Sequence, residues 1–223
     1  MSVERRHPKK YILTIILGIL VIILGYTSYR KYSLAGGIDY NEHLKNTAVT
    51  VNDTKLTFED LAFYVVYEEQ KVEQDALVYN PSNTNKYWNL HVDGQFIRIT
   101  ARDSAIQMAI HDEIFYQMAV KENTELTEDE INYAKNTQAD FESDMEDFGQ
   151  TDKLNVKQSV YNDTIMKIAL AQKYQEIYAQ MNGVSVDAYN FDGDSYKKLL
   201  KKNSYKINER LWKNVRFGKV SLH

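Results

Sequence analysis

The sequence predicts a mainly α-helical domain behind a single N-terminal transmembrane helix. A small β-hairpin is expected to be closed into a sheet by a C-terminal strand. Three observations carry this. Residues 11–29, YILTIILGILVIILGYTSY, hold no charge. Four later segments repeat apolar residues at helical spacing between start and stop signals. Alternation of the strand type occurs near residues 47–56 and again at 212–222.

The apolar run comes first. At about 1.5 Å per residue its length just spans a hydrocarbon core of about 30 Å. Arg5, Arg6, Lys9 and Lys10 precede it, and Asp39 and Glu42 follow soon after Arg30 and Lys31. This bias places residues 1–10 in the cytoplasm, 11–29 in the bilayer and the rest outside. The alternative is a cleaved signal peptide ending at Ala35, which would release the remainder. A second basic pair separates the run from that site, so the reading is an uncleaved, single-pass anchor.

The body follows a tether over residues 30–46. Residues 47–51 alternate, Asn52-Asp53-Thr54 turns, and Lys55-Leu56 returns. Thr57 caps the next helix with Asp60 three residues on, and Leu61, Val65, Val72 and Ala76 mark its face to about Tyr79. Asn80-Pro81 stops it. Residues 80–99 read as a loop plugged by Tyr87-Trp88, with a turn at Asp93-Gly94. A second helix is expected from a cap at Thr100 to about Glu122, with Ile106, Ile110, Ile114 and Met118 at i, i+4 spacing. Thr127-Glu128-Asp129-Glu130 opens a polar third helix ending at Phe148-Gly149. A fourth helix is expected over residues 154–181, stopped by Asn182-Gly183. A short basic helix near residues 195–203 and a strand over 215–222 complete the chain. That strand is expected to pair with the hairpin, so that residues 47–223 form one domain.

The order of these elements resembles the N-terminal chaperone domain of the SurA/PrsA-type extracytoplasmic foldases. The likeness rests on VTVNDTKLTFEDL, from Val49 to Leu61, and on LTEDEI, from Leu126 to Ile131. It covers about residues 47–181. Such foldases usually carry a parvulin prolyl-isomerase domain next, of roughly 90 residues with an active-site histidine. After residue 181 this sequence has only His223, so the resemblance implies the chaperone module without isomerase activity. It implies helices framing a cradle for unfolded chains, with Tyr64, Tyr67, Tyr87, Trp88, Phe115, Tyr116 and Met118 as candidate wall residues. The competing reading of each is core packing.

Composition limits the chemistry. The chain has no cysteine, which excludes disulfides, thiol catalysis and Cys-based zinc sites. His111-Asp112-Glu113 lacks the second histidine of a zinc-protease helix. An EF-hand aligned on Gly193 fails, because Ala188 and Leu199 would fall at its first and twelfth positions. There is no phosphate-binding glycine loop and no nucleophile elbow. The expectation is therefore no catalysis, no metal and no cofactor. Residues 122–152 hold eleven acids and one lysine, and residues 196–223 hold nine Lys/Arg and one Glu. The two faces offset each other across the fold, or the basic one leans on anionic headgroups or wall polymers. Nucleic acid is not expected.

The combined expectation is a membrane-anchored, extracytoplasmic chaperone-like protein. Its partners would be unfolded polypeptides, with the bilayer held through residues 11–29. The alternatives are an assembly subunit of a membrane complex binding one fixed partner, and a degenerate prolyl isomerase.

Overall fold

A computed structural model describes residues 37–222. They form a helical domain with a three-stranded sheet at one end. The anchor expected at residues 11–29, and the cleavage site at Ala35, lie outside the described residues. Among the described residues no helix is long and apolar enough to cross a membrane.

Strand β1 (Thr47–Val51) and β2 (Thr54–Thr57) make the expected hairpin, with Val51 opposite Thr54. Asn52 takes the left-handed turn conformation at φ 51°, which Asn tolerates better than most residues. Ala48, Val49 and Val51 are fully buried. The sheet is completed on the other edge of β1 by β5 (Tyr205–Ile207), in the order β2-β1-β5. A C-terminal strand therefore does close the hairpin, but it is residues 205–207, and the expectation of a strand at 215–222 is corrected.

Two asparagines fix β5 at its ends. Asn52 accepts from Ser204 N–H at 3.0 Å, and its own N–H donates to the Ser204 carbonyl at 2.7 Å. Asn208 donates from backbone and side chain to the carbonyls of Ala48 and Thr47. Residues 203–208 thus carry their own alignment signals, which outweigh the apolar alternation further on.

Helix α1 (Ala62–Tyr79) buries the predicted face of Val65, Val72 and Ala76. The Thr57–Asp60 reciprocal hydrogen bonds form, one turn ahead of the helix itself. The expected loop holds one helical turn, α2 (Asn85–Trp88), and a two-residue hairpin of β3 (His91–Val92) and β4 (Gln95–Phe96). Asp93 and Gly94 both have positive φ, as such a tight turn requires. That hairpin delivers the chain directly into α3 (Ile97–Lys121), so the helix starts before the expected cap at Thr100. Helix α4 (Glu128–Asp147) has the full capping box at Thr127 and Glu130. Helix α5 (Gln158–Met181) starts four residues later than expected. Asn41 donates to the Lys153 carbonyl and accepts from Asn155 N–H, which holds that stretch non-helical. A 3₁₀ turn (Val186–Tyr189), α6 (Asp194–Leu200) and α7 (Glu209–Trp212) follow.

Helix α3 packs along α5 and against α1, and α4 lies on α5. Tyr40 and Leu44, placed in the tether by the sequence, are buried, and the Tyr40 hydroxyl donates to the Phe58 carbonyl at 2.6 Å. Residues 215–222 run irregularly over α1. There Val215, Phe217 and Leu222 are buried, and the buried Glu69 carboxylate gathers the backbone N–H groups of Gly218, Lys219, Val220 and Ser221. Its fifth donor is the Ser221 hydroxyl at 2.6 Å. This carboxylate does for the tail what a neighbouring strand would have done: it satisfies backbone donors that burial removes from water.

Candidate functional site

The helices leave a solvent-open cavity of about 490 Å³ between α1, α3, α4, α5 and the loop at residues 190–192. Its volume lies in the range of ordinary ligand pockets, roughly 300–1,000 Å³. Helix α1 contributes Phe63, Tyr64 and Tyr67. Residues 63 and 67 are one helical turn apart, and their rings stack at 5.9 Å and 14°. Phe141 of α4 closes on Phe63 at 4.8 Å. Helix α5 adds Ile165 and Ile168, α3 adds Met108, and Tyr133 and Phe191 stand at the opening. Tyr67, Phe191 and Tyr133 remain 44%, 44% and 75% exposed.

A polar chain crosses one side of the cavity. Tyr64 donates to Asp112 at 3.1 Å, and His111 Nδ1 meets the other Asp112 oxygen at 2.8 Å. His111 Nε2 meets the Tyr189 carbonyl at 2.8 Å. Burial, and then the Asp112 charge, raise the Tyr64 pKa well above its ordinary value, so the hydroxyl keeps its proton and donates. The two His111 nitrogens thus each face an acceptor, the Asp112 carboxylate and the Tyr189 carbonyl. The arrangement positions the loop at residues 186–192 on α3. Tyr189 and Tyr196 reinforce it by packing on Phe115.

Two further concavities adjoin. One of about 310 Å³ is lined by Leu56, Asp60, Tyr64 and Val160, and one of about 520 Å³ by Leu126, Ile131, Met166 and Leu170. They share Tyr116, Asp163 and Lys167, and Tyr64 is common to the first of them and the aromatic cavity. Lys167 pairs with the buried Glu113 and lies 5.0 Å above the Tyr116 ring. Among the described residues no group of three or more His, Asp or Glu is placed to hold a metal ion.

The seven residues singled out by the sequence separate. Tyr64 and Tyr67 line the cavity, and Tyr116 lines the adjoining concavities. Phe115 is fully buried in the core. Trp88 is also buried, donating to Glu73 at 2.6 Å, so neither ring reaches a solvent-open wall. Tyr87 packs on Tyr79 at the far end of α1. Met118 is half-buried and lines none of these three concavities. Sequence reasoning missed Phe63, Met108, Tyr133 and Phe191. Tyr133 carried a readable signal, a large ring on an otherwise polar, acidic helix.

Comparison with family models, curated proteins and solved structures finds no match to this chain. The functional reading therefore rests on the residues and their geometry.

Proposed function

We propose that the protein is a membrane-anchored, extracytoplasmic chaperone-like module that holds unfolded exported polypeptides without catalysis. The SurA/PrsA-type resemblance belongs to the same proposal, as do the anchor at residues 11–29 and the orientation with the domain outside the cytoplasm. The observation that carries the reading is the cavity's wall. Stacked rings and a thioether line an opening that keeps Tyr67, Tyr133 and Phe191 partly in water. Such a surface takes apolar side chains of varied shape, because aromatic faces and methionine adapt to what they meet.

The test is suppression of aggregation of an unrelated unfolded protein at stoichiometric ratio. Suppression that weakens in Tyr67→Ala and Phe191→Ala, with helix content unchanged, supports the proposal. These rim positions are the informative ones, since Phe115→Ala or Trp88→Ala would damage the core. No suppression by a folded protein that instead copurifies with one membrane partner would assign the cradle to a dedicated assembly subunit.

A further inference from the structure

The cradle's charge is one-sided. Asp60, Asp112, Glu125, Asp163 and Asp192 line the three concavities, against Lys167 and His111. Lys167 is already engaged by Glu113, and His111 by Asp112. Among the described residues no lysine, arginine or histidine pairs with the carboxylates of Asp60, Glu125, Asp163 or Asp192. The α4 wall adds to the same field, with eleven acids and one lysine over residues 122–152. Apolar side chains and acids without an ionic partner therefore line the same concavities. Leu56, Val160, Met166 and Leu170 stand beside Asp60 and Asp163, and Phe63 and Ile168 beside Asp192.

We propose that the cradle selects extended polypeptides in which lysine or arginine sits beside aromatic or long aliphatic residues. This rests on the cradle reading above and names its client class. The apolar side chains enter the aromatic cavity, and the basic residues meet Asp163, Asp60 and Glu125 in the adjoining concavities. A cationic side chain there meets carboxylates that no lysine, arginine or histidine among the described residues pairs with. The summed negative field also draws cationic chains in before contact. An acidic segment of equal apolarity meets repulsion at each of these points.

The test uses the full chain in nanodiscs of zwitterionic lipid and three fluorescent peptides. Their aromatic and leucine positions are identical, and their spacer residues are lysine, serine or glutamate. The expected order is lysine over serine over glutamate. About tenfold should separate the first two, and the gap should close as salt rises from about 0.05 M to about 0.5 M. In the double variant Asp163→Asn, Glu125→Gln the lysine peptide should weaken at least threefold while the serine peptide is unchanged. Equal binding of lysine and serine peptides, both lost in Tyr67→Ala, would overturn the charge selection and leave the cradle standing. No binding of any peptide by the folded protein would overturn the cradle reading itself. A concentration-dependent dimer that the lysine peptide does not disrupt would assign the surface to a second copy of the chain and overturn the selection.

Discussion

A carboxylate shut away from water costs several kcal/mol unless donors meet it, and Glu69 meets five, at 2.5–3.1 Å. Replacing it with alanine strands those donors inside the fold. Glu69→Ala should lose about 3–5 kcal/mol, read as a lower denaturant midpoint, with the tail at residues 215–222 newly open to protease. Glu69→Gln keeps an acceptor but turns an NH₂ group toward other donors, so about 1–3 kcal/mol is expected. Burial raises the Glu69 pKa, while its bonds to Ser221, Val220 and Gly218 pull it back, with a net rise. A raised acid contributes its full stability below the unfolded carboxylate range and loses it as pH rises through the folded value. That component should vanish from the stability–pH profile of Glu69→Gln.

Glu130 shows the opposite sign. The Lys173 ammonium first, and then the Thr127 N–H, pull its carboxyl from 4.5 down to about 2. Its contribution is present above about 4.5 and is lost as pH falls toward about 2. Lys173→Met should therefore move the Glu130 carboxyl titration upward in an NMR experiment and leave the Thr127 cap in place.

At the scale of elements, helices with apolar faces and caps were legible, and the edges of elements were not. The capping box at Thr127 forms, and the same reciprocal bonds at Thr57 close a turn ahead of α1 rather than capping it, because each pattern is written into four adjacent residues. The start of α5 is not local, because Asn41, far away in sequence, holds residues 153–155. The strand expected at 215–222 failed for a similar reason. Its alternation is real, but Glu69 offers those backbone groups a better partner than a sheet edge, and nothing in α1's sequence marks Glu69 as different from the nearby glutamates. The aromatic cavity was half visible. Tyr64 and Tyr67 could be placed, while the burial of Trp88 depends on Gly218, which lies on another element.

That pairing of elements is testable. Gly218 has φ +83°, and a Cβ there would lie 2.7 Å from Trp88 Cδ2. Gly218→Ala combines a left-handed backbone with a collision against a buried ring, and should cost about 2–4 kcal/mol. The measurement is thermal unfolding followed by Trp fluorescence. A variant as stable as the parent would mean that the tail does not seat on Trp88 as described. Helix α4 is held differently. It buries only Ala134, Phe141 and Met145, and Phe141 contacts both Phe63 and Tyr161. In Phe141→Ala, hydrogen exchange should accelerate across α4 while α3 stays protected, because α3 is enclosed by α1 and α5.

At the scale of the whole molecule, the sheet joins the beginning of the domain to its end, with Val49 opposite Ile207. Between them lie all the long helices, so the last contacts made along the chain close the structure around everything before. Removing residues 205–222 would take away more than a strand. Val49 and Val51 would lose the strand along that edge of β1, Glu69 would be buried without its five donors, and Trp88 would lose the segment that covers it. The losses fall on three different elements, β1, α1 and α2, so no single helix could adjust to repair them. The truncated chain should therefore fail to fold cooperatively, rather than fold with a loose end. Circular dichroism of the chain ending at Ser204 should show helix that melts over a broad range, with amide protection lost in α1 and α3 alike. A sharp transition near that of the full chain, with α1 still protected, would show that the helices form an independent unit and that the sheet merely decorates it.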